Sequence, residues 1–307
     1  MKKLLLHTIA FLIPVGVLII GVEWFLGQET VVNSSRKKKF FLEQNLTEIE
    51  GVVLGSSQVL QGVNPKYSAS QNIYNLANVS QSLYLDAELM KMYAPKLEKL
   101  KTVYWGISYP TLFLKLSKSQ EAWRENLYTL EYGIPANRNQ NIVEKHSYFR
   151  TYGLETSTKI FKNKGNLDLA SSINERGFQT VKVTETPRNN ALERIGYHHQ
   201  DMKMEFLKEN LSFIEKTLTI LKEKNVEVIF FTTPTSSSYY NLEQAGYLKL
   251  KNKTIADLNK RYGSTYLNFE RMKAFDQNPK YFLDADHMNV LGAEIFSEML
   301  FKDSLRR

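Results

Sequence analysis

Gly51-Val52-Val53-Leu54-Gly55-Ser56-Ser57-Gln58 is the stretch on which the reading of the whole chain turns. A short apolar run closed by a turn residue is the pattern of a fully buried strand. A hydroxyl on the tight turn that follows such a strand is placed to attack an acyl group. That attack also needs an imidazole to take the proton and a carboxylate to hold the imidazole. Asp284-Ala285-Asp286-His287, near the other end of the chain and directly before a helix-like stretch, offers both.

Between these two segments the pattern alternates. Further strands are expected at residues 72–76, 102–107, 226–231 and 265–269, the fourth of the five a near-continuous β run of the kind found in a central parallel strand. Helices are expected at residues 80–100, with Pro95 as a flaw, and then from Met202 to about Leu221, at 241–262 and at 289–304. Strands alternating with helices predict an α/β fold, a doubly wound parallel sheet of the flavodoxin-like three-layer kind. In such sheets ligands bind beyond the carboxyl ends of the strands. Ser57, Asn78, Ser108, Thr233 and Asp284 all fall just after strand ends, and this shared position says more than any one motif.

Gly-Ser-Ser after the first strand and Asp-x-x-His before the last helix together resemble the SGNH/GDSL hydrolase superfamily. The pattern is closest to its membrane-anchored, envelope-acylating members, DltD-like proteins and alginate O-acetyltransferases. The resemblance covers about residues 49–303 and leaves an insertion at 118–200 unmatched. Carried over residue by residue, it implies Ser57 as nucleophile, with Ser56 in the place of the family's aspartate and as the alternative nucleophile. It implies His287 as general base and Asp284 as the carboxylate that orients it, Asp286 not fitting the spacing. The same serines and acids also suit ordinary turn and helix-cap chemistry. For the oxyanion hole the resemblance implies the backbone N–H of Ser80, at the family's glycine position, and the Ser108 hydroxyl in place of its asparagine, with Asn78 as a further donor. Losing one such donor costs roughly 10²–10³ in rate, so these departures bear on activity.

The N-terminus reads separately. Met1-Lys2-Lys3 precedes an apolar stretch over residues 4–26, and ~20 such residues suffice to cross a bilayer. The run exceeds the usual ~7–15 residues of a secretory h-region and no Ala-x-Ala site follows, so an uncleaved anchor over 1–26 is expected over a cleaved signal peptide. Lys2 and Lys3 favour a cytoplasmic N-terminus, whereas Arg36-Lys37-Lys38-Lys39 beyond the span argues the reverse by the positive-inside rule. Residues 27–48 read as a polar linker or short helix, its basic run solvated near headgroups. The folded domain is then expected over 49–307, and the 118–200 insertion, aromatic but weakly periodic, reads as surface loops.

The net charge of +8 suits a protein near a membrane or an anionic polymer, and no nucleic-acid motif accompanies it. With no cysteine the chain has no disulfide and no thiolate chemistry. His198-His199 with Asp201 lacks a second ligand pair and reads as surface, and the hydroxyl-rich Thr232–Ser238 segment suits either a sugar-binding cleft or a turn with caps. The expectation is thus a membrane-anchored, extracytoplasmic serine O-acyltransferase or esterase on an acylated envelope glycan or polymer. It needs no cofactor or metal, and the resemblance implies a polytopic membrane-bound O-acyltransferase as partner. The alternative is an inactive scaffold of the same fold that binds a glycan or that partner.

Overall fold

The computed structural model describes residues 1–184, 187–276 and 278–304. The strands of its main sheet are β1 (Gly51–Leu54), β2 (Ile73–Asn75), β3 (Thr102–Gly106), β4 (Glu227–Thr232) and β5 (Thr265–Asn268). The main helices, in chain order, are α1 (Lys2–Leu26), α2 (Ser34–Gln44), α3 (Ser57–Gly62), α4 (Leu83–Tyr93), α5 (Glu125–Tyr132), α6 (Tyr148–Lys162), α7 (Ala191–Asp201), α8 (Leu207–Glu223), α9 (Ala245–Tyr262) and α10 (Val290–Ser304).

The five strands pair in parallel in the order β2-β1-β3-β4-β5. This is the doubly wound flavodoxin-like order, whose switch point lies at the carboxyl ends of β1 and β3. The β1 and β3 residues are all buried, as a sheet covered on both faces requires. Val53, Tyr104, Ile229 and Phe231 face a core that also holds Val59 of α3 and Phe296 of α10. On the opposite face Trp105 lies against Phe230, ring centroids 5.7 Å apart, and reaches Asp86 of α4. Each fully buried side chain of this size contributes about 1.5–3 kcal/mol, so the sheet holds its register by its two apolar faces.

Two glycines allow the closest approach in the sheet. Gly55 sits at φ +142°, and a Cβ there would lie 2.7 Å from Val59 Cγ2. A Cβ on Gly106, at the end of the neighbouring β3, would meet the same methyl more closely still. Val59 therefore fills the space that two strand-end glycines leave open, which brings the first turn of α3 down onto the sheet.

α4 is shorter than the expected helix over 80–100. It stops at Tyr93, with Ala94 as C-cap, because Pro95 restricts the residue before it and donates no amide.

The chain divides into two compact units: Met1–Lys37 with Trp123–Ser171, and Lys38–Ala122 with Ser172–Arg307. The first unit joins the N-terminal helix to most of the expected insertion. Where loops were expected, α5 and α6 are helices, and the expected linker contains α2. α1 is apolar and exposed along its span, long enough to cross a membrane. Its last turn packs on α6: Phe25 stacks on Phe161 at 4.7 Å, and Glu23 accepts from Ser147 Oγ and Tyr148 N, both at 2.6 Å, at the start of α6.

The basic run at 36–39 is not a solvated linker. Arg36 pairs with Glu131 at 2.9 Å and donates to the carbonyls of Gly27, Gln28 and Val31 and to Tyr148 Oη. Lys37 pairs with Asp168 at 2.8 Å. Lys38, in the second unit, is buried and donates to Asn75 O at 2.6 Å and Gly177 O at 2.5 Å; burial pushes its ammonium well below the usual lysine range.

Candidate active site

Ser57 is the first residue of α3, with Ser56 as its N-cap in extended backbone. Ser57 Oγ lies 2.8 Å from His287 Nε2, and 230 residues of chain separate them. Asp284 holds the other imidazole nitrogen: its carboxylate oxygens lie 3.0 and 3.1 Å from His287 Nδ1. It also accepts the backbone N–H of His287 at 2.8 Å and of Asp286 at 3.1 Å, so one carboxylate fixes both the loop and the ring. The structure thus brings Ser57, His287 and Asp284 within hydrogen-bond distance of one another in that order.

Asp286 completes a second layer. It is buried, accepts a forked pair of bonds from Arg194 (Nε to Oδ1 2.6 Å, Nη2 to Oδ2 3.1 Å) and accepts from Gln58 Nε2 at 3.0 Å. Its Oδ1 lies 3.4 Å from His287 Nδ1. Burial would raise the Asp286 carboxyl, but His287 and Arg194 hold it well below the usual range. Burial likewise pulls His287 down, and the charges of Asp286 and Asp284 more than offset this, raising the imidazole to about 9. Asp284, Asp286 and His287 each offer a ligand-type atom within 4.8 Å of the others. Arg194 already compensates Asp286, and Asp284 already accepts several N–H groups, so this donor set is committed to the protein.

His198 corrects the surface assignment of the His198-His199 pair. It is buried, its Nδ1 bonded to Tyr239 Oη at 2.5 Å and its Nε2 4.0 Å from Asp286 Oδ2. Burial, only partly countered by Asp286, lowers it to about 4, so it is neutral. A signal for this was present: Ala191, Ile195 and His198 recur at helical spacing and form the buried face of α7.

The side chains of the expected oxyanion residues have partners of their own. Ser80 adopts φ 54°, the left-handed conformation in which glycine is commonest, which fits its place where the resembled family has glycine. Its hydroxyl, however, is bonded to Glu121. Ser108 Oγ lies 2.8 Å from Thr111 Oγ1, which also accepts the Ser108 N–H at 3.0 Å. Asn78 donates its backbone N–H to Gly55 O at 3.2 Å, tying its turn to that of Ser57, and its side-chain carbonyl accepts from Val79 N at 2.9 Å. Both serine hydroxyls are therefore engaged within the protein.

Beneath the Gly55 turn lies Asp86, which no sequence pattern singled out. It is buried and accepts from Gln81 at 2.6 Å, from the Trp105 indole at 2.9 Å and from the Gly55 backbone. Burial outweighs these bonds and raises it to about 7. The hydroxyl-rich loop after β4 also braces the site. Ser236 donates its N–H (3.0 Å) and Oγ–H (2.7 Å) to Ala285 O, within the loop that carries Asp284 and His287.

No protein-family profile matches the chain, and no curated protein does. Among solved structures the chain is similar to a Bacteroides fragilis protein described as a "putative acylhydrolase", at 10% identity and a TM-score of 0.41, covering 87% of this chain and 97% of that one. It is also similar to a GDSL-like lipase of Bacteroides thetaiotaomicron, at 8% identity and a TM-score of 0.41, covering 89% of this chain and 98% of that one.

Proposed function

We propose that this chain is a membrane-anchored, SGNH-like serine esterase or O-acyltransferase acting on an acylated cell-envelope glycan or polymer. The observation that carries the proposal is the relay Ser57 Oγ, His287, Asp284, with 2.8 Å at one imidazole nitrogen and 3.0 Å at the other. Neutral His287 takes the Ser57 proton on Nε2 as Oγ bonds to the acyl carbonyl carbon. The imidazolium then protonates the departing oxygen as its bond to the acyl carbon breaks, which leaves an acyl-serine. Water or an acceptor hydroxyl gives its proton to His287 and attacks in turn, releasing acid or a new ester. Asp284 keeps the Nδ1 proton in place throughout. The exposed apolar α1 supports an anchor. We place residues 27–307 on the extracytoplasmic side, where an envelope substrate would lie, and an anchored site favours transfer at the membrane, with a polytopic O-acyltransferase as acyl source.

The test is labelling of the full chain in detergent by a fluorophosphonate probe, with turnover of p-nitrophenyl acetate. Labelling of the wild type and not of Ser57→Ala supports the proposal. An inert, unlabelled wild type counts against it. Protease digestion of spheroplasts tests the topology: a domain protected until the membrane is broken contradicts it. A second reading, a glycan- or partner-binding scaffold, is favoured by the engaged hydroxyl of Ser108, which leaves one donor fewer for an oxyanion.

A further inference from the structure

We infer that Arg194 and Asp286 act as a positioning pair that sets the protonation of His287, so that a helix preceding β4 by some thirty residues governs the base of the site. The inference rests on the reading of His287 as the base of Ser57.

Two carboxylates face one imidazole nitrogen. Asp284 holds Nδ1 at 3.0 Å, while Asp286 stands off at 3.4 Å. Nδ1 carries one hydrogen, so Asp286 is not needed to orient the ring. As a buried anion it nonetheless stabilises the imidazolium. Left alone it would hold His287 charged to still higher pH. Arg194 counters this. Its guanidinium meets both oxygens of Asp286 through two of its three nitrogens, Nε and Nη2, the fork geometry that lysine cannot reproduce. The other groups around Asp286 do not take this part. Gln58 donates to Oδ2 without charge, His198 is neutral, and Tyr239 is turned to His198, burial keeping its hydroxyl protonated. Arg194 is thus the fixed positive charge on Asp286. The side-chain amide of Gln58, next in sequence to Ser57, joins the serine's own turn to the same carboxylate.

The pair therefore works as two opposed charges on the base, with a signature that a merely structural role lacks. Asp286→Asn removes the anion and leaves the cation, so His287 should titrate lower than in the wild type. Arg194→Met leaves the anion uncompensated, so His287 should titrate higher. The double variant should fall between Asp286→Asn and the wild type, and Arg194→Lys, which keeps the charge, should stay near the wild type.

The experiment is NMR titration of ¹³C-labelled histidine in the full chain in nanodiscs, five histidines in all, alongside the pH dependence of fluorophosphonate labelling. Shifts of about one unit in opposite directions are expected. At neutral pH Arg194→Met should then label about tenfold more slowly and recover at alkaline pH. Shifts in the same direction, or none in folded variants, overturn the inference. Should Arg194→Met fail to fold, Asp286→Asn and the charge-neutral double variant decide by their order against the wild type. If the wild type takes no probe while the titrations move as expected, the positioning pair stands and the assignment of Ser57 falls.

Discussion

His287 is buried between two acids, and its chemistry follows from that position. Its imidazole is raised to about 9, so at neutral pH it is mostly protonated, and proton abstraction from Ser57 requires the neutral ring. Ester turnover is therefore expected to climb with pH through the neutral range towards a midpoint near 9, and an activity plateau already reached at pH 7 would contradict this. Stability runs the other way. A histidine whose folded value exceeds its ordinary 6.5 adds stability fully below that ordinary value, and the contribution is lost as pH rises through about 9. Denaturant melts of the wild type should weaken over that window relative to His287→Gln. Replacing Ser57 by alanine should cut turnover by roughly 10⁴–10⁶, and His287→Ala nearly as much, because such residues act as a unit. Ser56→Ala should retain part of the activity, since Ser56 occupies the N-cap position of α3, where its side chain makes no cap bond. Ser57, Asp284 and His287 were legible because each sits in a short local pattern. Arg194 was not, since it belongs to no motif and lies 92 residues from Asp286, which the motif's spacing had set aside. Only the helical spacing in α7 hinted that His198 turns inward.

At the scale of elements, the strands could be read because their buried runs are apolar, and Pro95 correctly marked a break but ended α4 where a kink was expected. α5 and α6 were hidden for a physical reason: their buried positions are partly polar. Glu125 and Asn126 share the buried positions of α5 with Leu127, Tyr128 and Tyr132, and Thr151 and Ser157 those of α6 with Ile160, so polar residues interrupt the hydrophobic period of both. The tight join of β1, β3 and α3 gives a sharper prediction. Gly106→Ala places a methyl against Val59 Cγ2, and overpacking of this kind costs about 1–3 kcal/mol. The companion change Val59→Ala should recover part of that loss by making room. Urea denaturation measures both, and a Gly106→Ala midpoint equal to that of the wild type would mean that the sheet yields at no cost.

Across the whole molecule, the basic run at 36–39 shows how one stretch of sequence can be misread by composition. Arg36 closes the C-terminal end of α1 by pairing with Glu131 and donating to three backbone carbonyls, which a solvated cation could not do. Truncating it to alanine removes the cation paired with Glu131 and one donor from each of those carbonyls, and should destabilise the first unit by about 3 kcal/mol. The check is limited proteolysis of the full chain, where cleavage within 123–171 should speed up while the Ser57 site keeps its probe labelling.

Glu23 bears on how the chain is made. Its carboxylate ends the apolar helix, and its partners Ser147 and Tyr148 lie 124 and 125 residues later in the sequence. Synthesis at about 5–20 residues per second would separate the two by roughly 6–25 s. During that interval the last turn of α1 is complete, but the helix that will receive its charge does not yet exist. Glu23 must wait in contact with water or headgroups, and α6 can begin only against a carboxylate already in place. The N-terminal helix is then a template for the insertion, and its unit is built in an order that the ribosome dictates.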